Sequence, residues 1–120
     1  MKKKIVIQKN YLEKIPMRPP HIQWDAAEDG LVTLSIENTG WANRIAQKLF
    51  RRPKVSFVHL DEMGSFIWPL LDGEKNIIEL GKLVEAHFGE KAHPLYERLA
   101  RYFQIMDSYR FIDWKQTDRK

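Results

Sequence analysis

Between Ile22 and Asn38, apolar and polar residues alternate in two short runs separated by a turn signal. Ile22-Gln23-Trp24 and Leu31 to Ile36 show the period of two expected of strands, and Glu28-Asp29-Gly30 supplies a turn with Gly30 where positive φ is needed. In the second run Val32, Leu34 and Ile36 share one face, and Thr33 and Ser35 take the other. Past Asn38-Thr39-Gly40 the period lengthens. Trp41, Ile45 and Leu49 recur at helical spacing beside Ala42 and Ala46, which predicts a short amphipathic helix ending at Arg51-Arg52-Pro53. Alternation returns from Val55 to Leu60, a third strand with Val55, Phe57 and His59 on one face and Ser56, Val58 and Leu60 on the other.

The second half reads as three helices. Asp61 is placed to cap a helix over Glu62 to Leu71, weakened by Gly64, bent or ended near Pro69, and closed by Asp72-Gly73. Asn76-Ile77-Ile78-Glu79 has the form of a capping box and opens a helix whose apolar face is Ile77, Leu80, Val84 and Phe88, stopped by Gly89. A third helix starts at His93-Pro94, with Pro in its first position, and runs to about Tyr109. Its apolar face is broad: Leu95, Leu99, Phe103 and Met106 are core candidates, with Tyr96, Arg98 and Tyr102 as a partly exposed wall. Phe111 to Trp114 suits a last short strand. Trp68 is expected in the core.

Composition narrows the classes. The chain has 120 residues, 43% hydrophobic and 12% aromatic, enough for one core and too apolar for a disordered chain. There is no cysteine, so disulfides, thiolate metal sites and cysteine nucleophiles are excluded. The opening Met1-Lys-Lys-Lys-Ile-Val-Ile7 is too short in apolar residues for a signal peptide, and no run approaches a membrane span; a cytoplasmic location is expected. The formal charge of +4 is unevenly spread. Residues 1–20 carry a net +5 and residues 41–54 another +5, which leaves the remainder at −6. The helix over 93–109 balances Glu97 and Asp107 against Arg98 and Arg101, unlike the basic face of a DNA-reading helix.

Leu60-Asp61-Glu62-Met63-Gly64-Ser65-Phe66-Ile67-Trp68-Pro69-Leu70-Leu71-Asp72-Gly73 resembles the signature of the PqqD family, small peptide-binding proteins of peptide-modification pathways. The likeness continues through Asn76-Ile-Ile-Glu79-Leu80. Tyr102-Phe103, Met106 and Arg110-Phe111-Ile112 fall where the family usually shows Phe-Leu, Leu and Gly-Leu-Ile. The resemblance covers roughly residues 21–114. It implies an α+β, winged-helix-like domain, a three-stranded antiparallel sheet followed by three helices, here with an extra short helix between strands 2 and 3. It implies no catalysis, and no cofactor or metal is expected. The implied function is binding of a precursor's leader peptide by β-augmentation on the third strand, in a groove against the third helix, and its presentation to a radical SAM or other peptide-modifying enzyme.

On that basis the candidate peptide-binding residues are Val55, Phe57, Val58, Leu60, Tyr96, Leu99, Tyr102 and Phe103. Arg44, Lys48, Arg51 and Arg52 are candidates for docking an acidic partner. Residues 1–20 read as a basic N-terminal extension, 41–54 as a basic helical insertion and 115–120 as a tail. The four histidines lack metal-ligand spacing, and no nucleophile elbow, P-loop or dinucleotide fingerprint is present. Two alternatives stay open: a winged-helix DNA-binding or regulatory protein, and a dimerising scaffold whose N-terminal Ile5-Val-Ile7 covers the strand edge, with a homodimer as its form. If the Val58 amide faces outward, proline there would remove a ladder donor and weaken peptide binding.

Overall fold

A computed structural model describes residues 9–37 and 55–115. In chain order these form α1 (Lys9–Leu12), β1 (Pro16–Met17), β2 (Gln23–Ala26), β3 (Val32–Glu37), β4 (Val55–His59), α2 (Glu62–Ile67), α3 (Ile77–Phe88), α4 (Leu95–Ser108) and β5 (Asp113–Trp114). The chain divides into two units, Pro20–Ser65 and the combination of Met1–Pro19 with Phe66–Lys120. The architecture is α+β, with a three-stranded antiparallel sheet and three main helices. The expected helix over 41–54, and with it Arg44, Lys48, Arg51 and Arg52, lies outside the described residues, as does Ile5-Val-Ile7.

In the first unit β2, β3 and β4 form an antiparallel sheet in that order. Gly30 takes a φ of 87° at the hairpin turn, where the Asp29 carboxylate accepts the Leu31 N–H at 3.0 Å. The period-two reading of β3 is correct: Val32 and Leu34 are buried, and Thr33 and Ser35 are half-buried on the other face. β3 pairs with β4 in the register Thr33 to His59, Leu34 to Val58, Ser35 to Phe57, Ile36 to Ser56 and Glu37 to Val55. Just beyond it, the Leu60 N–H donates to the Val32 carbonyl at 2.9 Å. Bonded and non-bonded pairs alternate along an antiparallel ladder. This rung therefore directs the backbone groups of Val58 and Ser56 toward β3, and those of Phe57 and His59 away from it. The Val58 amide faces inward, so proline at 58 would break the sheet itself.

The rung at Val32 and Leu60 is completed by a side chain. The Ser65 hydroxyl accepts the Val32 N–H at 2.8 Å and donates to the Leu60 carbonyl at 3.2 Å. Asp61 holds Ser65 in place by capping α2, its carboxylate accepting the Gly64 N–H at 2.8 Å. Asp61 thus has the capping role expected of it, but α2 is shorter than predicted. It gives way after Ile67 to a 3-10 turn over Trp68–Leu70, which accommodates Pro69.

In the second unit, the capping box is present in full. The Asn76 side chain accepts the Glu79 N–H and the Glu79 carboxylate accepts the Asn76 N–H, both at 2.8 Å. α3 and α4 approach at Gly81, where a Cβ would come within 3.0 Å of Leu99 Cδ1 and 3.1 Å of Tyr96 Cε1. Pro94 is the residue before α4 rather than its first helical position, and its carbonyl accepts the Arg98 N–H at 3.1 Å. At the other end, the Phe111 N–H reaches the Met106 carbonyl and the Arg110 N–H that of Asp107, both at 2.9 Å. This is a Schellman motif, with Arg110 left-handed at φ 62°.

Residues 9–19 are built into this unit. β1 pairs with β5, Pro16 opposite Trp114 and Met17 opposite Asp113, and Met17 also bridges Asp72. Arg18 donates from its guanidinium to the carbonyls of Trp68 at 3.2 Å and Pro69 at 2.7 Å, closing the end of the 3-10 turn. Lys14 Nζ sits 4.9 Å from the centre of the Trp114 ring, and Tyr11 meets that ring edge-on at 5.9 Å. Part of the N-terminal basic excess therefore supports the fold. The expected last strand is real but limited to Asp113–Trp114.

Candidate functional site

Five residues, Val55 to His59, end the three-stranded sheet. Among the described residues no strand pairs with the outer edge of β4. The ladder phase set by Leu60 and Val32 presents the N–H and C=O of Phe57 and His59 along that edge. Such a row of main-chain groups is a template for a further strand. Natural edges are usually blunted by Lys, Pro or a bulge, and Val55-Ser56-Phe57-Val58-His59 has none of these.

The side chains alternate. Val55, Ser56, Val58 and Leu60 are half-buried, whereas Phe57 is 64% exposed. Phe57 shares the outer face with His59, whose Nδ1 lies 3.0 Å from the Thr33 hydroxyl. The strand candidates Val55, Phe57, Val58 and Leu60 thus form a continuous segment.

The helical candidates divide. On α4, Tyr96 and Tyr102 are half-buried and retain accessible surface. Leu99 and Phe103 are completely buried, with Phe103 packed 5.0 Å from the Tyr102 ring and 6.2 Å from that of Trp114. They belong to the core with Leu95 and Met106, and they present no surface to a ligand. The reason is the helical period, which puts 95, 99, 103 and 106 on one inward stripe. α4 does leave Ile105 and Tyr109 exposed, Tyr109 stacking on Phe111 at 5.4 Å.

Titratable groups sit in ordinary structural roles. His93 Nε2 is 2.9 Å from Glu85, and His87 stacks on Phe66 at 4.4 Å. The hydrogen bond from Lys75 holds the Asp72 carboxyl below its usual range. Burial, aided by the nearby Asp107 charge, pushes the Tyr11 phenol up to about 12. Among the described residues no group of three or more His, Asp or Glu could hold a metal ion, and no helix is long and apolar enough to cross a membrane.

Ser65 is the residue that sequence reasoning missed. It anchors the Leu60 end of β4, yet its partner Val32 is 33 positions away, and no local pattern signals such a contact.

Residues 31–112 match the family described as Coenzyme PQQ synthesis protein D (PqqD). No curated protein and no solved structure matches the chain. The matched segment runs from the turn before β3, through β4, α2, α3 and α4, to the residue before β5. It takes in most of the sequence, including β4, and the chain belongs to the PqqD family, whose members are peptide-binding accessory proteins.

Proposed function

We propose that this protein binds the leader segment of a precursor peptide as a strand added to the outer edge of β4, and presents it to a peptide-modifying enzyme such as a radical SAM maturase. The protein itself performs no chemistry in this reading. The observation that carries it is the open edge: two residues, Phe57 and His59, offer backbone donors and acceptors with no strand beside them among the described residues. Main-chain pairing supplies affinity for an extended segment of almost any sequence, and side chains flanking the edge select among segments. Family membership supplies the peptide, and the edge supplies a way of holding it.

The test separates main chain from side chain at His59. Synthetic peptides tiling the short open reading frames that flank the gene are titrated calorimetrically against the full chain and two variants. His59→Ala keeps the outward amide, whereas His59→Pro removes it without touching a β3 rung. One tile should bind the natural chain and His59→Ala alike. His59→Pro, checked for folding by circular dichroism, should lose about tenfold in affinity, the worth of a good hydrogen bond. Equal binding by the two variants, or no bound tile, would refute strand addition at β4.

A further inference from the structure

The outer face of the sheet is laid out in cross-strand rows: Gln23, Ser35 and Phe57; Asp25, Thr33 and His59; Glu37 and Val55. Each row ends on β4 at the open edge, so an added strand contributes one more side chain to each. The row through Ser35 ends in Phe57, whose ring is the most exposed large apolar group among the described residues of this unit, while its neighbour Ser35 is too small to cover it. Among the described residues no strand covers this edge, and a ring exposed on it lies beside the side chains of any strand added there.

Charge supplies the second requirement. Outside residues 41–54, which carry a net +5, the Pro20–Ser65 unit holds six carboxylates, Asp25, Glu28, Asp29, Glu37, Asp61 and Glu62, and no Lys or Arg. Asp61 and Glu62 are both exposed and follow directly on the end of β4. Four residues of strand, from Phe57 to Asp61, span about 13 Å. A lysine or arginine of an added strand therefore reaches these carboxylates from a position two to four residues from the one opposite Phe57.

Resting on the strand-addition reading, we infer that the segment β4 accepts carries a large apolar residue in register with Phe57 and a Lys or Arg two to four residues away, on the side of Asp61 and Glu62. Phe57 is then a specificity-determining residue on the outer face of the sheet. Glu62 steers and orients the strand, since complementary charge at a rim fixes register and direction more than it adds affinity.

A displayed library of random 12-residue peptides, selected on the full chain, tests this with the library itself as the probe. Enriched sequences should pair an aromatic or branched apolar residue with a cation at that spacing. By fluorescence anisotropy at low salt, Phe57→Ser should weaken a selected peptide about tenfold and Glu62→Lys about threefold. The Phe57 side chain is largely exposed, so its replacement leaves the fold intact. Enriched peptides that lack the cation, or that bind both variants as tightly as the natural chain, overturn this inference and leave strand addition standing. Enrichment of nothing at all overturns both.

Discussion

Replacing Ser65 with Ala removes one oxygen and breaks half of the last rung between β3 and β4, leaving only the bond from the Leu60 N–H to the Val32 carbonyl. In the folded protein that hydroxyl stands between the Val32 N–H and the Leu60 carbonyl, accepting at 2.8 Å from one and donating at 3.2 Å to the other. Val32 is 1% exposed, so its N–H has no access to water once the oxygen is gone, and an unmet buried donor costs about 1–3 kcal/mol. The Leu60 carbonyl lies in a half-buried residue and can be hydrated, so its loss adds little. Ser65 lies within α2, where alanine is the better helix former by roughly 0.5 kcal/mol, and this offsets part of the cost. The expected net loss is about 1.5 kcal/mol. Urea unfolding should show it as a lower midpoint with unchanged slope, and amide exchange should show the Val32 N–H losing protection. A loss below roughly 0.5 kcal/mol with Val32 still protected would mean that the strands close on each other directly, and that the serine fills a space instead of joining a ladder.

Two further outcomes follow from single residues. Arg110 occupies a left-handed position at φ 62°, so Arg110→Gly should stabilise the fold by about 0.5–1 kcal/mol in thermal or urea unfolding. A destabilised variant would show that the arginine side chain makes a compensating contact. Tyr11 has a phenol raised from 10.0 to about 12, and its hydroxyl has no hydrogen-bond partner among the described residues. The folded chain keeps this phenol neutral at pH values where the unfolded chain ionises it. The stability it contributes is therefore complete below pH 10 and is lost as the pH climbs from 10.0 to about 12. Tyr11→Phe should flatten that alkaline loss in pH-dependent unfolding curves and be neutral or slightly stabilising at pH 7. An unchanged alkaline slope would remove Tyr11 as its source.

What the sequence makes legible here is what is local. The Asn76–Glu79 box, the Asp61 cap and the Gly30 turn each depend on residues within a few positions of one another, and all three are present. Alternation in β4 correctly pairs Phe57 with Val55 and His59 but does not say which face is buried, since both faces carry apolar residues. Nor does it set the phase of the ladder, because side-chain direction and amide direction are separate properties of a strand. That phase comes from one long-range rung at Val32. The helical stripe of α4 is readable as core, and Leu99 and Phe103, named also as candidate contacts, are buried in it because a residue central to such a stripe is covered on all sides. The cationic residues Lys14 and Arg18 read as charge in a one-dimensional sum. Only their distant partners, Trp114 and the carbonyls of Trp68 and Pro69, reveal them as packing and capping groups.

The pairing of β1 with β5 has a consequence for where this protein can be cut. The family match spans 31–112, and a fragment trimmed to those limits would omit β2 along with both partners of the small sheet. It would strip Trp114 from the Phe103 ring and the Arg18 guanidinium from the end of the 3-10 turn. The segment that defines kinship and the segment that can stand as an independent folding unit are therefore different lengths of the same chain, and the longer one must reach from α1 through Lys115, whose N–H bonds the Ile15 carbonyl at 2.8 Å.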